Sequence, residues 1–228
     1  MLFPLALAAG VGLADYFSTD IQLKCGRVLH KVTSVTSGVA VAYIFLHLLP
    51  EFVEGVNALN KFIFLTALGG FVAVYLIEKY IYQHSPIKKL KQELAVEDSS
   101  ILFLYNFVVG ALLVEFALGS SLEAVLLFVP VFLHSAMSGL PLDISVNRMV
   151  RGISSAAALI GAGVIIAAGA LSPAVKFSLI GILTGALIFS VTRHHLAFGR
   201  QGSPSWFLAG AGAYSAIIVA IWVSQGGV

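Results

Sequence analysis

Residues 32–50 read VTSVTSGVAVAYIFLHLLP, a run without a charged side chain. A helix of about 20 residues crosses the roughly 30 Å hydrocarbon core of a bilayer, so this run predicts a membrane-spanning helix. Seven further apolar runs of similar length occupy most of the chain. The eight predicted spans, numbered 1 to 8, cover residues 1–18, 32–50, 60–79, 99–118, 122–142, 150–171, 173–192 and 205–224.

The Lys and Arg residues fall unevenly between these spans. Eleven of the thirteen lie in the gaps after spans 1, 3, 5 and 7, namely Lys24, Arg27, Lys31, Lys79, Lys88, Lys89, Lys91, Arg148, Arg151, Arg193 and Arg200. The gaps after spans 2 and 6 hold only Lys61 and Lys176. Because cytoplasmic loops carry the excess of Lys and Arg, the odd-numbered gaps are predicted to be cytoplasmic and both termini to face outward.

The composition agrees with a polytopic, all-α membrane protein. Hydrophobic residues make up 59% of the 228 residues and charged residues 11%, which is far from the balance of a soluble domain. Eight spans use nearly the whole chain, so residues 1–228 are predicted to form one transmembrane domain without a soluble catalytic domain. We expect a location in the plasma membrane (the inner membrane of a bacterial cell), contact with the lipid bilayer, and no nucleic-acid partner. Cys25 is the lone cysteine and excludes an internal disulfide.

One connection is long and polar, and it is predicted to be a cytoplasmic linker. Residues 80–98 read YIYQHSPIKKLKQELAVED. Lys89 and Glu93 are four apart, so a short amphipathic helix is an alternative for part of this segment. Small residues spaced as Gly181 and Gly185 are typical of close helix packing, and such faces are also candidates for a homodimer contact.

Polar residues inside spans are the better functional signal, because a charged one costs about 2.5–3.5 kcal/mol at a helix centre. Span 4 runs outward, which places Asn106 about 10 Å above the cytoplasmic boundary. Span 5 runs inward, which places His134 about 18 Å below the outer boundary, at nearly the same depth. Tyr105 and Ser138 are candidates to join them, since Ser138 follows His134 by one turn. The structural alternative is an amide–imidazole hydrogen bond that packs two helices.

Two further polar groups lie near the ends of spans. The outer group combines His47 and Glu51, four apart on one face, with Glu54 and with Glu115 of span 4; these side chains are candidates for a cation funnel. The inner group comprises Asp15, Asp20, His30, His194 and His195. Adjacent histidines on a helix point about 100° apart, so we do not expect His194 and His195 to bind one ion together. For both groups the alternative is ordinary interfacial polarity at helix ends.

The stretch SGVAVAYIFLHLLPEF, residues 37–52, resembles the second helix of the ZIP family of zinc and iron permeases. That helix typically reads Gly-Val, small and apolar residues, and then His-Leu-Leu-Pro followed by an acid. The family's topology is similar to the one predicted here: eight helices in a 3+2+3 bundle, outward termini, and the longest cytoplasmic loop between helices 3 and 4. The resemblance implies a permease whose substrate is a divalent metal ion, zinc or similar.

The resemblance also implies a transport site on spans 4 and 5, where the family carries His-Asn-x-x-Asp and His-Glu-x-x-Glu or His-Glu-x-x-His. In span 4, Asn106 matches, while Tyr105 and Val109 replace the histidine and the aspartate. In span 5, His134 matches, while Ser135 and Ser138 replace the glutamate and the last ligand. Neutral hydroxyls and one imidazole do not compensate the charge of a divalent ion in a low-dielectric site.

These observations lead to two hypotheses. In the first, the chain is a ZIP-like transporter of divalent metal cations, with Asn106, His134, His47 and Glu51 as metal ligands and with Tyr105, Ser135, Ser138 and Glu115 as candidate pore-lining residues. In the second, it is a divergent ZIP-like protein that does not transport metal and serves as a channel for another small solute or as a regulatory partner. An enzyme is not expected, because no His-Glu-x-x-His helix is present.

Overall fold

The computed structural model describes residues 2–25, 28–84, 87–137, 148–195 and 202–224, without the side chains of residues 81, 87–101, 148–151, 194 and 195. All regular structure in this part of the chain is helical. The α-helices are α1 (Leu2–Tyr16), α2 (Ser18–Cys25), α3 (Leu29–Tyr43), α4 (Leu49–Ala58), α5 (Phe64–His84), α6 (Ile87–Gly119), α7 (Ser121–Met137), α8 (Arg148–Ala168), α9 (Pro173–Ser190) and α10 (Pro204–Ser224).

Several of these helices have the length and apolarity of membrane spans. Within the described residues, five segments meet both conditions: Leu29–Ala58, Lys61–His84, Leu102–Gly119, Pro173–Arg193 and Pro204–Ser224. The pair α1 and α2, bent by 58°, makes a sixth if it is one broken span. Ser121–Met137 and Gly152–Ala168 are apolar but shorter. The chain therefore has the helix lengths and composition of an integral membrane protein.

Large apolar side chains on α5 and α10 are exposed, as expected for helices that face hydrocarbon. Leu65 is 61% exposed and Leu208 is 67% exposed. A bilayer accepts such side chains without cost, because lipid tails are as apolar as leucine. The buried core lies on the other side of these helices and is formed mainly by α3, α6, α7, α8 and α9.

The predicted linker at residues 80–98 is largely helical. Helix α5 continues to His84, and α6 begins at Ile87 and runs without interruption to Gly119. The segment is therefore more helical than the short amphipathic helix that the sequence offered as an alternative, because α6 extends the span at its polar end. Its role as a cytoplasmic linker stays a prediction. Ser85 and Pro86 lie outside the described residues.

Span 2 is longer than predicted and contains a π-helical turn. The turn covers Ile44–Leu48 and joins α3 to α4, and it ends where the N–H of Leu49 donates to the carbonyl of Ile44. Pro50 follows directly and has no N–H to donate. Such π turns inside α-helices are frequent at functional sites, and this one carries His47.

Helices α3 and α10 approach each other closely through glycines. A Cβ atom on Gly38 would overlap the carbonyl oxygen of Phe207 and lie 2.7 Å from the backbone nitrogen of Ala211. A Cβ atom on Gly210 would overlap the carbonyl oxygen of Val35. Without hydrophobic driving force in lipid, contact between helices relies on such close backbone packing.

Helices α5 and α9 meet through the same arrangement. A Cβ atom on Gly185 would overlap the carbonyl oxygen of Ala67 and lie 2.7 Å from the backbone nitrogen of Phe71. A Cβ atom on Gly70 would overlap the carbonyl oxygen of Ile182. Gly185 and Ile182 are spaced on α9 as Gly38 and Val35 are spaced on α3, so the two helix pairs have the same contact register.

The equivalence extends to a second π-helical turn. It covers Val191–His195 and begins six residues after Gly185, as Ile44–Leu48 begins six residues after Gly38. The pair α3–α10 and the pair α5–α9 are therefore structurally equivalent. The sequence shows no repeat at this level, because the equivalence lies in glycine spacing and backbone contacts rather than in residue identity.

Candidate functional site

A group of polar side chains is buried where α1, α6 and α8 meet. Asn106 on α6 is fully buried, and its Nδ2 atom donates to Oδ2 of Asp15 and to the carbonyl oxygen of Ser154, each at 3.4 Å. The hydroxyl of Ser155 on α8 donates to the same Asp15 oxygen at 2.9 Å. This hydrogen-bonded group, Asp15, Asn106, Ser154 and Ser155, is called the junction site below.

Small residues allow the three helices to come together at the junction site. A Cβ atom on Gly12 would overlap the carbonyl oxygen of Ser155, and one on Gly110 would overlap the carbonyl oxygen of Ala158. Because no side chain separates the helices there, the polar groups of α1, α6 and α8 reach one another directly. Close backbone approach therefore positions the site.

Asp15 has buried partners that the sequence analysis did not include. It was expected to line the inner face with Asp20, His30, His194 and His195, and it is 3% exposed and belongs to the junction site. Asp20 and His30 are exposed. Residues His194 and His195 end the second π-helical turn, and their side chains are outside the described part.

A bend follows Tyr16 and is one feature that the sequence analysis missed. The sequence predicts one straight span over residues 1–18, whereas in the structure α1 ends at Tyr16 and α2 leaves at 58°. The available signal was a carboxylate within an apolar run, which is costly unless it has partners.

The predicted neighbours Tyr105 and His134 do meet. Their ring centroids are 5.4 Å apart with an interplanar angle of 54°, and both residues are buried. Ser135 is fully buried beside His134, and Val109 is fully buried on α6. Two neighbouring residues of α6 thus have different partners. Asn106 forms hydrogen bonds with α1 and α8 in the junction site, whereas the ring of Tyr105 contacts that of His134 on α7. Ser138 lies outside the described residues.

His47 occupies an aromatic setting at the first π-helical turn. Its ring centroid lies 5.3 Å from that of Tyr43 and 6.2 Å from that of Phe116. Its Nε2 atom is buried and has no hydrogen-bond partner among the described residues. His47 therefore has an unused nitrogen in a mostly apolar environment.

The carboxylates of the predicted outer funnel have partners that the sequence prediction left out. Glu51 forms an ion pair with Lys176 at 2.9 Å, and the Lys176 ammonium also lies 5.3 Å from the ring centroid of Phe177. Oε2 of Glu115 accepts a hydrogen bond from the backbone N–H of Leu171 at 3.2 Å. Glu115 thus anchors the chain between α8 and α9.

Two further carboxylates complete the outer group. Glu54 is exposed, and Glu123 at the start of α7 is close enough to Glu51 and Lys176 for electrostatic interaction. Neither Lys176 nor Glu123 was included in the predicted funnel, because they lie on spans 7 and 5 and nothing in the sequence places those span ends beside span 2.

Among the residues that the structure describes, no group of three or more His, Cys, Asp or Glu side chains is arranged to hold a metal ion. The assignment of Asn106, His134, His47 and Glu51 as metal ligands stays a prediction. The residues that approach one another offer mainly neutral oxygen, one carboxylate and one imidazole, which together favour a weakly binding site over a tight structural zinc site.

Comparison of the sequence with protein-family models and with curated proteins finds no match.

Proposed function

We propose that the chain is a ZIP-like membrane transporter that moves divalent metal cations between α6 and α7. The observation that carries this proposal is the buried polar group inside an apolar bundle, the junction site together with Tyr105 and His134. Ionisable side chains within membrane-spanning helices are rare and usually mark the path of an ion or proton. The metal ion is the substrate; no resident cofactor is proposed.

The proposed architecture is an eight-span 3+2+3 bundle with both termini outside, in the plasma membrane. Its support is the equivalence of the α3–α10 and α5–α9 pairs, which relates spans 2 and 3 to spans 7 and 8. Repeats of opposite orientation are common in transporters, and substrate sites lie near the interface between them. In this scheme α6 and α7 are the two central spans.

Transport is tested by metal flux into proteoliposomes that contain the purified chain. Uptake of Zn²⁺ and Mn²⁺ above that of protein-free vesicles is the expected result, with His134→Ala reducing it at least about tenfold. Thr184→Val is the matched control, because Thr184 is buried and donates only within α9, to the carbonyl of Ile180. Absence of uptake by a folded parent protein contradicts metal transport.

The orientation gives a separate prediction. A cysteine introduced at Ser203 or Lys91, in a chain whose Cys25 is replaced by Ser, should react only with reagent on the cytoplasmic side. A cysteine at Asn57 should react only from outside. The measurement is labelling by a membrane-impermeant maleimide in intact cells and in inverted vesicles. If Asn57 and Lys91 are labelled from the same side, the topology is wrong.

The outer carboxylates give another prediction. Replacing Glu51 and Glu115 together by Gln should lower uptake about fivefold at limiting ion concentration and little at saturation, because a negative surface raises the local concentration of cations. Glu54→Gln is the control for the loss of one exposed charge. Initial uptake rates over a range of ion concentrations measure the effect. An equal loss at all concentrations would indicate a folding defect, since Glu115 also binds the backbone at Leu171.

The second candidate function is a divergent ZIP-like protein that does not transport metal. It is favoured by the absence of acids at Val109 and Ser135 and by the lack of a metal-ligand group in the described part of the chain. The flux experiment separates the two functions, provided that the parent protein is shown to be folded by thermal unfolding.

A further inference from the structure

The junction site lies at a break in a membrane span. Helix α1 ends at Tyr16, and the chain turns by 58° into α2. Asp15 therefore occupies the last turn of α1, where the helix dipole adds a partial negative charge to that of the carboxylate. Broken spans whose helix ends and carboxylates face the bundle interior are suited to small cations.

Oxygen atoms converge on the amide of Asn106. Its Nδ2 atom lies 3.4 Å from Oδ2 of Asp15 and 3.4 Å from the carbonyl oxygen of Ser154. The Ser155 hydroxyl lies 2.9 Å from the same carboxylate oxygen. Both distances from Nδ2 are longer than the roughly 2.9–3.0 Å that is usual for an N–H···O hydrogen bond, so the amide is held loosely between its two acceptors.

The other end of the same amide is unsatisfied. Asn106 is fully buried, and its Oδ1 atom has no hydrogen-bond partner among the described residues. A buried carbonyl without a partner is costly, and in native proteins it often accompanies a water or an ion. A half-turn of the amide would bring Oδ1 to the position of Nδ2, facing the oxygens of Asp15 and Ser154.

We propose that the junction site binds one monovalent hard cation of the size of sodium, with Asp15, Asn106, Ser155 and the Ser154 carbonyl as its oxygen ligands. Oxygen ligands select hard cations, and this hydrogen-bonded group contains neither imidazole nor thiolate, which zinc prefers. One carboxylate balances one positive charge, whereas a divalent ion would leave a net charge in a low-dielectric site.

The room beside the amide agrees with this ion size. After the half-turn, Oδ1 of Asn106 would lie 3.4 Å from the Asp15 and Ser154 oxygens, where Nδ2 now lies, and this spacing suits a metal–oxygen distance of about 2.4 Å in an octahedral arrangement, longer than the roughly 2.0–2.1 Å that Mg²⁺ requires. The 2.9 Å between the Ser155 hydroxyl and Asp15 is a hydrogen bond, which the bound ion would replace. The charge that the family's acids would supply from spans 4 and 5 thus comes from α1 instead. This inference rests on the proposed function for the role of the ion, which would accompany the substrate.

The experiment is thermal unfolding of the purified chain in detergent at constant ionic strength, with choline chloride replaced stepwise by NaCl. Between about 1 and about 100 mM NaCl the midpoint of the parent should rise by about 5 °C, because an ion that binds only the folded state stabilises it. Asp15→Asn should abolish the rise, Ser155→Ala should reduce it by at least half, and Thr184→Val should retain it.

Other ions decide the charge and the size. KCl should give a clearly smaller rise of the unfolding midpoint than NaCl. Stabilisation by Ca²⁺ or Zn²⁺ with none by Na⁺ would overturn the monovalent assignment.

The variants decide whether the site exists. No response of the parent to NaCl, or an equal response of Asp15→Asn, would overturn the site. If Asp15→Asn does not fold, Ser155→Ala decides, and its full response would overturn the site. A sodium response without metal flux would reject the transport proposal alone, and flux without a sodium response would reject this site alone.

Discussion

Gly161→Ala is expected to destabilise the folded chain by about 2–3 kcal/mol, whereas Gly163→Ala on the same helix should leave its stability unchanged or raise it by up to about 1 kcal/mol. A Cβ atom on Gly161 would overlap the carbonyl oxygen of Phe107 and lie 3.2 Å from the backbone nitrogen of Ala111. Neither neighbour is a flexible side chain, so α6 and α8 would have to separate. Nothing lies within 4 Å of a Cβ atom on Gly163.

The two variants form a matched pair, since the same methyl group is added two residues apart on α8. Thermal unfolding of purified protein should show a midpoint lower by about 4–12 °C for Gly161→Ala, given the shift of about 2–4 °C per kcal/mol in a chain of this size. The separation would also loosen the junction site, because Ser154 and Ser155 belong to the same helix. Equal midpoints for the two variants would mean that α6 and α8 are not as close as described.

The positions of the helices could be predicted from apolar run length. Each predicted span corresponds to a helix, and span 8 at 205–224 almost coincides with α10 at Pro204–Ser224. The five or six segments that meet the criteria of span length and apolarity do not by themselves establish eight spans. The π-helical turns were not predictable, because the extra residue shifts the helical phase and a span that is apolar on most faces does not reveal such a shift.

The sequence predicts the level of the candidate residues along their helices but not the direction in which their side chains point. Rise per residue placed Asn106 and His134 at one level, yet the described hydrogen bonds of Asn106 are with α1 and α8. The rotation of α6 about its axis is fixed by contacts such as that of Gly110 with Ala158, which involve backbone atoms of a distant segment. Depth follows from one helix, whereas direction requires its neighbours.

The outer group illustrates the same limit. His47 and Glu51 share a helix face by their spacing, but Lys176 on α9 forms the ion pair with Glu51. A cation approaching these carboxylates therefore meets a positive charge as well, which lowers the expected attraction. For this reason the predicted effect of the outer carboxylates on uptake is smaller than the effects of the buried substitutions.

The double variant Val109→Asp with Ser135→Glu is expected to bind Zn²⁺ at least about tenfold more tightly than the parent. Both positions are fully buried, one on α6 three residues after Asn106 and one on α7 beside His134. Two carboxylates next to the His134 imidazole would provide the charge compensation and the ligand number that the parent lacks. The parent is expected to bind Zn²⁺ only weakly at this position, as a transported substrate rather than a tightly held ion.

The matched control is Val109→Asn with Ser135→Gln, which adds side chains of the same shape without charge. Metal titration of all three proteins in one detergent, with thermal unfolding to show that each is folded, separates the gain in charge from the change in packing. Burial of two new carboxylates should lower the midpoint in the absence of metal and restore it when Zn²⁺ is added, because binding offsets the cost of desolvation. Tight zinc binding by the parent would show that its neutral ligands are sufficient. No gain in a folded double variant would show that Val109 and Ser135 do not face a common space.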